Sequence, residues 1–453
     1  MDKITKYYIY LFLLFFTPLL IHKISLNILI IILLLTFVIL FAKKFKLKKF
    51  PIYLFIISLI IRVGVVLLIN TTPMSDFSVL YNASLSIVKH DYSFNNDLYF
   101  YYWAYQIGFV FMQSLFLKIC NSILFLKILN AIVTSGICVL IYYIAKEFMH
   151  ERYAKVVSIF YMLMIFPLTY VTVLTNQHMS TFLIYLAIYI IVSKNIKISE
   201  LKRYLIVGIL LSIANIIRPE GIIVIFSIIL YLLLLLRRNN IKDTLKKIVV
   251  LLASYYLLLF VVSKLFIFTG IGPYGLTNNA PYWKFVLGFN HETVGRYTND
   301  DTYVLGNREV ANELIKTRVL TSPKKLIKLF INKSNIFWNT STLDWSLIEF
   351  YDEDITLLNK SINVSSIAYR LNMYNQDCLF IMYSFVIIGV YTYIKKKDYN
   401  KSIILLINLV FVTFGVYLLI EIQPRYSYFI EISTVILMGL GIEYLVSKIN
   451  ILK

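Results

Sequence analysis

The feature that most constrains this chain is the length of its apolar runs. They come in blocks of about 15 to 22 residues between short basic patches, the length that crosses a hydrocarbon layer as a helix. Runs fall near 8–21, 26–42, 51–69, 122–145, 156–174, 180–193, 204–217, 221–236, 247–268, 376–394, 402–420 and 428–447, with those at 180 and 204 short. Hydrophobic residues make up 59% of the 453 and charged residues 15%, against about 25% charged in an ordinary soluble chain. That balance excludes a soluble core. Gly (15) and Pro (9) are too scarce for collagen-like or low-complexity disorder. The stretch from Tyr8 to Ile21 lacks an A-x-A-like cleavage site and is soon followed by another apolar run, so it reads as a retained first helix. The expected fold class is therefore an all-α polytopic membrane protein of about 12 transmembrane helices, with a helical first outer loop and a longer mixed outer segment.

The net charge of +20 sits mostly in connectors between the apolar runs. This is the positive-inside pattern; it also draws anionic lipid headgroups, and it argues for membrane lipids rather than nucleic acid as partners. Cys120, Cys138 and Cys378 show no C-x-x-C spacing, which speaks against a disulfide framework or structural zinc. The basic clusters at Lys43 to Lys49, at Arg237-Arg238 to Lys247 and at Lys395 to Lys397 mark the cytoplasmic side. Parity then puts both termini inside, with Lys448 and Lys453, and puts Asn70 to Trp103 and Gly270 to Gln376 outside. Gln106 to Cys120 is apolar, but if it spanned it would carry Lys146, Arg152 and Lys155 outside, so an interfacial or re-entrant helix is expected there. The expected organisation is a transmembrane region at 1–269 with its first outer loop at 70–105, an extracytoplasmic segment at 270–376 and C-terminal transmembrane helices at 377–453. No strong internal repeat stands out.

Chemistry is then expected in the few polar stretches. Asp76, in Thr72-Pro73-Met74-Ser75-Asp76-Phe77-Ser78, stands just beyond a long apolar helix, where a partly shielded carboxylate suits a general base for a hydroxyl acceptor. The plainer reading is a helix start for Phe77 to Val88, which Ser75 and Asp76 favour. Aromatic residues from Tyr92 to Trp103 suit an interface belt or a sugar platform. Two arginines lie at the outer ends of apolar runs, Arg218 in Asn215-Ile216-Ile217-Arg218-Pro219-Glu220-Gly221 and Arg425 in Glu421-Ile422-Gln423-Pro424-Arg425-Tyr426. The planar guanidinium matches phosphate oxygens; snorkelling, or a local Arg218–Glu220 pair, is the alternative. Arg62, within the third run, carries the same ambiguity. The segment Trp283 to Asp301 is the least lipid-like part of the chain and is rich in turn residues, and Asp300-Asp301 is its one candidate for a divalent ion. No P-loop, nucleophile elbow, H-E-x-x-H or dinucleotide fingerprint is present, which disfavours ATP-driven transport by this chain alone.

The order of these features resembles the GT-C class of integral membrane glycosyltransferases, in particular the family of dolichyl-phosphate-mannose protein mannosyltransferases and bacterial aminoarabinose transferases. The matching pieces are Ser75-Asp76-Phe77 with Tyr81, the Tyr/Trp-rich approach to the next helix, Asn215 to Pro219, Trp283 to Asp301, and Pro424-Arg425-Tyr426. The resemblance implies an inverting sugar transfer from a polyprenyl-phosphate donor to a cell-envelope glycan, lipid or protein acceptor on the outer face. It makes Asp76 the catalytic base, and Tyr81, His178, Arg218, Arg425, Tyr426 and Arg296 substrate-binding candidates. The chain departs from the family where relatives carry a paired acid in the first loop, since Phe77 follows Asp76, and this weakens a metal-dependent reading. No cofactor is indicated. A second departure is Thr175-Asn176-Gln177-His178, where relatives place an acid. A polysaccharide polymerase or ligase, or a lipid-linked sugar transporter or flippase, remains the alternative function, although a transporter tends to place its polar groups at the bilayer midplane.

Overall fold

The computed structural model describes residues 3–16, 26–44, 49–235, 240–339, 343–350, 352–357, 360–395 and 400–448. Several of the basic residues used above to assign sidedness, Lys46, Lys48, Arg237, Arg238, Lys396, Lys397 and Lys453, lie outside them.

In a membrane each backbone polar group must be satisfied within its own segment, so apolar runs become helices. The first three are α1 (Lys3–Phe16), α2 (Leu26–Lys44) and α3 (Phe50–Leu68), the last with Pro51 in its first turn, where no N–H is missed. Four helices follow: α4 (Asp76–Val88), α5 (Leu98–Tyr102), α6 (Ile107–Ile119) and α7 (Ile123–Lys146), whose Ser122 caps it by accepting from the Phe125 amide. Next come α8 (Glu151–Leu163), α9 (Ile165–Tyr170), α10 (Gln177–Val192), α11 (Glu200–Ile217), α12 (Gly221–Leu234) and α13 (Ile241–Phe268). The segment after them holds α14 (Trp283–Gly288), α15 (Arg308–Leu320), α16 (Pro323–Trp338), α17 (Leu343–Leu347) and a hairpin of β1 (Asp354–Leu357) and β2 (Lys360–Asn363). The chain closes with α18 (Val364–Lys395), α19 (Ile403–Leu419) and α20 (Tyr428–Lys448).

Five of these, α3, α7, α13, α18 and α20, are long and apolar enough to cross a membrane, and α1, α2, α6, α10, α12 and α19 are shorter apolar helices. The run expected at 156–174 is not one helix. Pro167 cannot donate to the carbonyl four residues back and crowds it, and the chain breaks at Met164, in extended conformation, into α8 and α9. At 13 residues α6 is about 20 Å long, short of the roughly 30 Å of hydrocarbon. It packs on α4 and presses against α11 at Gly108, where an added Cβ would lie 2.0 Å from the Ile216 carbonyl oxygen. The mixed segment is mostly helical, with β1 and β2 the only strands among the described residues, and α18 runs unbroken through the boundary expected at 376.

Contacts at the helix ends give the bundle two distinct faces. At one, Phe50 packs on Tyr142 with ring centroids 5.0 Å apart, Asn400 donates to the Glu147 carbonyl at 2.8 Å, Ser193 donates to the Glu147 carboxylate at 3.0 Å, and Arg152 donates to the Ile39 carbonyl at 2.9 and 3.1 Å. These connectors carry the clustered lysines. At the other, the Lys127 ammonium donates to the Thr71 carbonyl, and the turns after α3, α11 and α19 meet there. The central packing is α18 against α20, where Gly441 lets the backbones touch; a Cβ there would lie 2.0 Å from the Phe385 carbonyl oxygen. Lys333 on α16 is fully buried and closes the end of α19, its ammonium donating to the carbonyls of Gly288, Leu418 and Ile420 at 2.9, 2.7 and 2.7 Å.

Candidate active site

At the face away from the lysine-rich connectors, a cavity of about 350 Å³ opens between the α3–α4 connection, the α11–α12 turn, α14 and the α19–α20 turn. Asp76, Arg218, Arg425 and Tyr426 all line it, although they lie up to 350 residues apart in sequence. Each is placed by a local device. Ser75 takes φ 52° and ψ −136°, a backbone that side-chain-bearing residues rarely adopt, and so swings Asp76 onto the rim as the first residue of α4. A helix start is a favourable place for negative charge. Pro219 and Gly221 end α11 and begin α12 around the extended Arg218, and Pro424 opens the turn that carries Arg425 and Tyr426.

Six charged side chains line the cavity: Asp76, Arg218, Glu220, Lys284, Glu421 and Arg425. Four of them neutralise one another. The Arg218 Nε donates to Glu220, and its Nη1 donates to the Asn176 Oδ1 at 2.9 Å. Lys284 donates to Glu421, whose other oxygen accepts from Gln423 at 2.9 Å and from the Tyr426 hydroxyl at 3.3 Å. Burial opposes each charge, yet the partners prevail in part: Arg218 and Lys284 are held above their ordinary values by Glu220 and Glu421, and Glu421 is held below its own by Lys284. Glu220 goes the other way, raised by burial, with Arg218 only partly offsetting it.

The remaining two, Asp76 and Arg425, have no hydrogen-bond or ion-pair partner for their charged groups among the described residues. The Arg425 guanidinium is held instead by rings, with Phe77, Trp345 and Tyr426 at 4.8, 5.1 and 5.9 Å from their centroids. Its carbonyl accepts from Gln177 at 2.9 Å, which fixes the backbone of a residue that lines the cavity. The Asp76 charge reaches the surrounding phenols: Tyr99 is pushed well up by burial and then by Asp76.

Other expected site residues fall elsewhere. His178 is buried behind the cavity, its ring nitrogens bonded to the Tyr428 hydroxyl and the Tyr170 carbonyl at 3.0 Å each, so its polarity is used in packing α10 against α9 and α20. Tyr81 is one turn and a half along α4 from Asp76 and packs on the cluster of Leu117, Leu126 and Leu174. Arg296 lines a neighbouring groove rather than this cavity. Asp301, of the Asp300-Asp301 pair considered for a divalent ion, faces Arg318, which grips its two oxygens at 2.9 and 2.8 Å, with Asn290 a third donor at 3.0 Å; no group of three or more His, Cys, Asp or Glu that could hold a metal gathers among the described residues. Lys284, Trp345, Tyr105 and Gln106 were not singled out from sequence. The one clue to Lys284 was its place as the sole charge in Trp283-Lys284-Phe285-Val286-Leu287.

Comparison with solved structures bears on this architecture directly. The chain matches the archaeal oligosaccharyltransferase AglB from Archaeoglobus fulgidus, in a structure with an inhibitory peptide and a dolichol-phosphate, with a TM-score of 0.50 at 13% identity over 88% of this chain and 51% of that one. An apo crystal structure of the Archaeoglobus fulgidus oligosaccharyltransferase gives 0.51 at 13% identity, over 89% and 51%. The likeness is one of fold, shared with these oligosaccharyltransferases. The chain spans about half the length of those structures. A model of the dolichyl-phosphate-mannose-protein mannosyltransferase family matches residues 107–266, which take in α6 to α13 and so Asn176, Arg218 and Glu220, but neither Asp76 nor Arg425. Comparison with curated proteins gives no match. The GT-C likeness and the apolar helices together make this a membrane protein.

Proposed function

We propose that this protein transfers a sugar from a polyprenyl-phosphate-linked donor to an acceptor hydroxyl on the outer side of the membrane, with inversion. The observation that carries the reading is the pair of unneutralised charges in one cavity, Asp76 and Arg425. An inverting transfer needs a base for the acceptor proton and a positive group for the departing phosphate. The acceptor oxygen attacks the anomeric carbon as Asp76 takes its proton, and the bond from that carbon to the phosphate oxygen breaks, its electron pair leaving with the polyprenyl phosphate. Arg425 meets that anion with donors already aimed and with no partner to give up. Arg218 is the weaker candidate for this role, because Glu220 holds it; it orients the site through Asn176.

The carrier assignment draws support from the dolichol-phosphate in the similar structure and from the matched family. The sidedness draws support from the lysine-rich connectors, which gather at the face opposite the cavity. The two neutralised ion pairs stand at the cavity wall and not in two related halves at mid-depth, which favours transfer over transport.

The test is sugar transfer by membranes carrying Asp76→Asn. Turnover is expected to fall about 10²–10⁴-fold, the range for a lost general base, with protein abundance and donor binding unchanged. Full transfer by that variant removes Asp76 from the mechanism. Radiolabelled sugar crossing vesicles with no covalent product would favour a transporter instead.

A further inference from the structure

Beside the catalytic cavity lies a larger one, of about 510 Å³, between α16, α18 and the 424 turn. Four of its wall residues, Ser365, Ala368, Tyr369 and Asn372, recur at i, i+3, i+4 and i+7 and so form one face of α18. Asn335 and Asn339 face them from α16, and Arg296 and Pro424 complete the wall. No carboxylate lines it. The amides of Asn335 and Asn339, the Arg296 guanidinium and the Tyr369 hydroxyl have no hydrogen-bond partner among the described residues.

Residues adjacent in sequence line the two cavities on either side of the ridge between them. Pro424 lines the groove and its neighbour Arg425 lines the catalytic cavity. Arg296 lines the groove, while the phenol of its neighbour Tyr297 lies in the field of Asp76. The two strands of the ridge are joined, since the Ile422 amide donates to the Gly295 carbonyl at 2.9 Å.

We infer that this groove binds the acceptor, and that the acceptor is a carbohydrate chain bearing an acidic group. The inference rests on the glycosyltransferase reading above. Carboxamides present a donor and an acceptor side by side, which matches hydroxyls that both give and take hydrogen bonds. The exposed Tyr369 ring offers a flat face to a sugar ring. Arg296, free of any carboxylate, is the partner for a carboxylate or phosphate on the chain. A peptide acceptor would ask for an open strand edge or a row of apolar pockets; no strand lines the groove, and its apolar residues, Ile336, Leu343, Ala368 and Pro424, alternate with amides and hydroxyls. An acceptor seated there presents its terminal hydroxyl over the ridge to Asp76, across from the donor.

The full-length protein in lipid nanodiscs, titrated with a galacturonic acid hexasaccharide, maltoheptaose and a Ser/Thr-rich heptapeptide and read by saturation-transfer NMR, tests this. The acidic hexasaccharide is expected to bind, maltoheptaose more weakly, and the peptide not at all. Arg296→Ala is expected to weaken the acidic probe about tenfold and to leave maltoheptaose unchanged, while Ser365→Trp, which fills the groove from α18, abolishes binding of both. Tyr369→Ala, at an exposed position, gives a second readout in protein whose elution profile matches the parent. Binding of the peptide in place of the sugars overturns the carbohydrate assignment. Sugar binding untouched by Ser365→Trp, or no sugar binding by the parent protein, overturns the groove. Asp76→Asn is expected to bind the hexasaccharide normally, so transfer by that variant sinks the base and leaves the acceptor groove standing.

Discussion

Arg425 shows how a single side chain can be held ready by what does not bond to it. Rings on three sides fix the guanidinium while consuming none of its N–H groups, and a lysine lacks the planar fork that stacks this way. Arg425→Lys is therefore expected to keep part of the activity with a raised KM for donor, and Arg425→Ala to lose roughly 10- to 100-fold in kcat/KM, the worth of a charged hydrogen bond. Steady-state kinetics with a polyprenyl-phosphate sugar separates the two. The neighbouring Lys284–Glu421 pair carries a pH prediction. Glu421 sits below its ordinary 4.5, so its stabilisation is complete above that value and is lost as pH falls through the lower folded value. Lys284 sits above its ordinary 10.5, so its share is lost only as pH rises past that. Thermal midpoints in detergent should thus be level between about 4.5 and 10.5 as far as this pair decides them, and Glu421→Gln should lower that plateau and remove the acid step. At this scale the sequence made Asp76 and Arg425 legible, because an isolated charge beside a long apolar run must have a use or a partner. It could not separate the free arginine from the neutralised one, since the partner of Arg218 is two residues away while the rings around Arg425 come from positions 77 and 345. His178 lies outside the cavity lining, and Tyr428 and Tyr170 supply the hydrogen bonds that a lone polar residue in a membrane helix asks for.

Among the elements, α18 and α20 meet through glycine. Gly441→Val sets a side chain against the Phe385 carbonyl and is expected to destabilise by about 1–3 kcal/mol, as overpacking does. Gly415→Ala on α19, where an added Cβ meets nothing within 4 Å, is the control and should be neutral or slightly stabilising. Melting followed by a thiol-reactive dye on the buried Cys138 and Cys378 distinguishes them. Among the described residues, each apolar run but that at 156–174 falls on a single helix, because in lipid an apolar run has few other ways to satisfy its backbone. Their ends were less legible. The break at Met164 depends on a proline three residues on, and the continuity of α18 from Val364 depends on packing against α20 that no local pattern announces.

For the whole molecule, sidedness is the property that most needs a measurement. In a background with Cys120→Ser, Asp300→Cys is expected to react with a membrane-impermeant maleimide in intact cells and Lys194→Cys only after lysis, since the two positions lie at opposite faces of the bundle; the reverse pattern would place the cavity inside. The long α18 ties these scales together. At 32 residues it is about 48 Å of unbroken helix, with the groove face at its first two turns and the α20 contact further along. It behaves as a rod anchored in the membrane, so the groove wall it forms cannot swing without dragging the centre of the bundle. The opposite wall, α16, is tied to the same frame: Lys333 grips three carbonyls, Phe337 and Trp338 are buried in the main core, and the Tyr383 hydroxyl of α18 donates to the Trp338 carbonyl at 3.0 Å. Both walls of the groove are thus braced from behind, and an incoming chain meets a slot of set width.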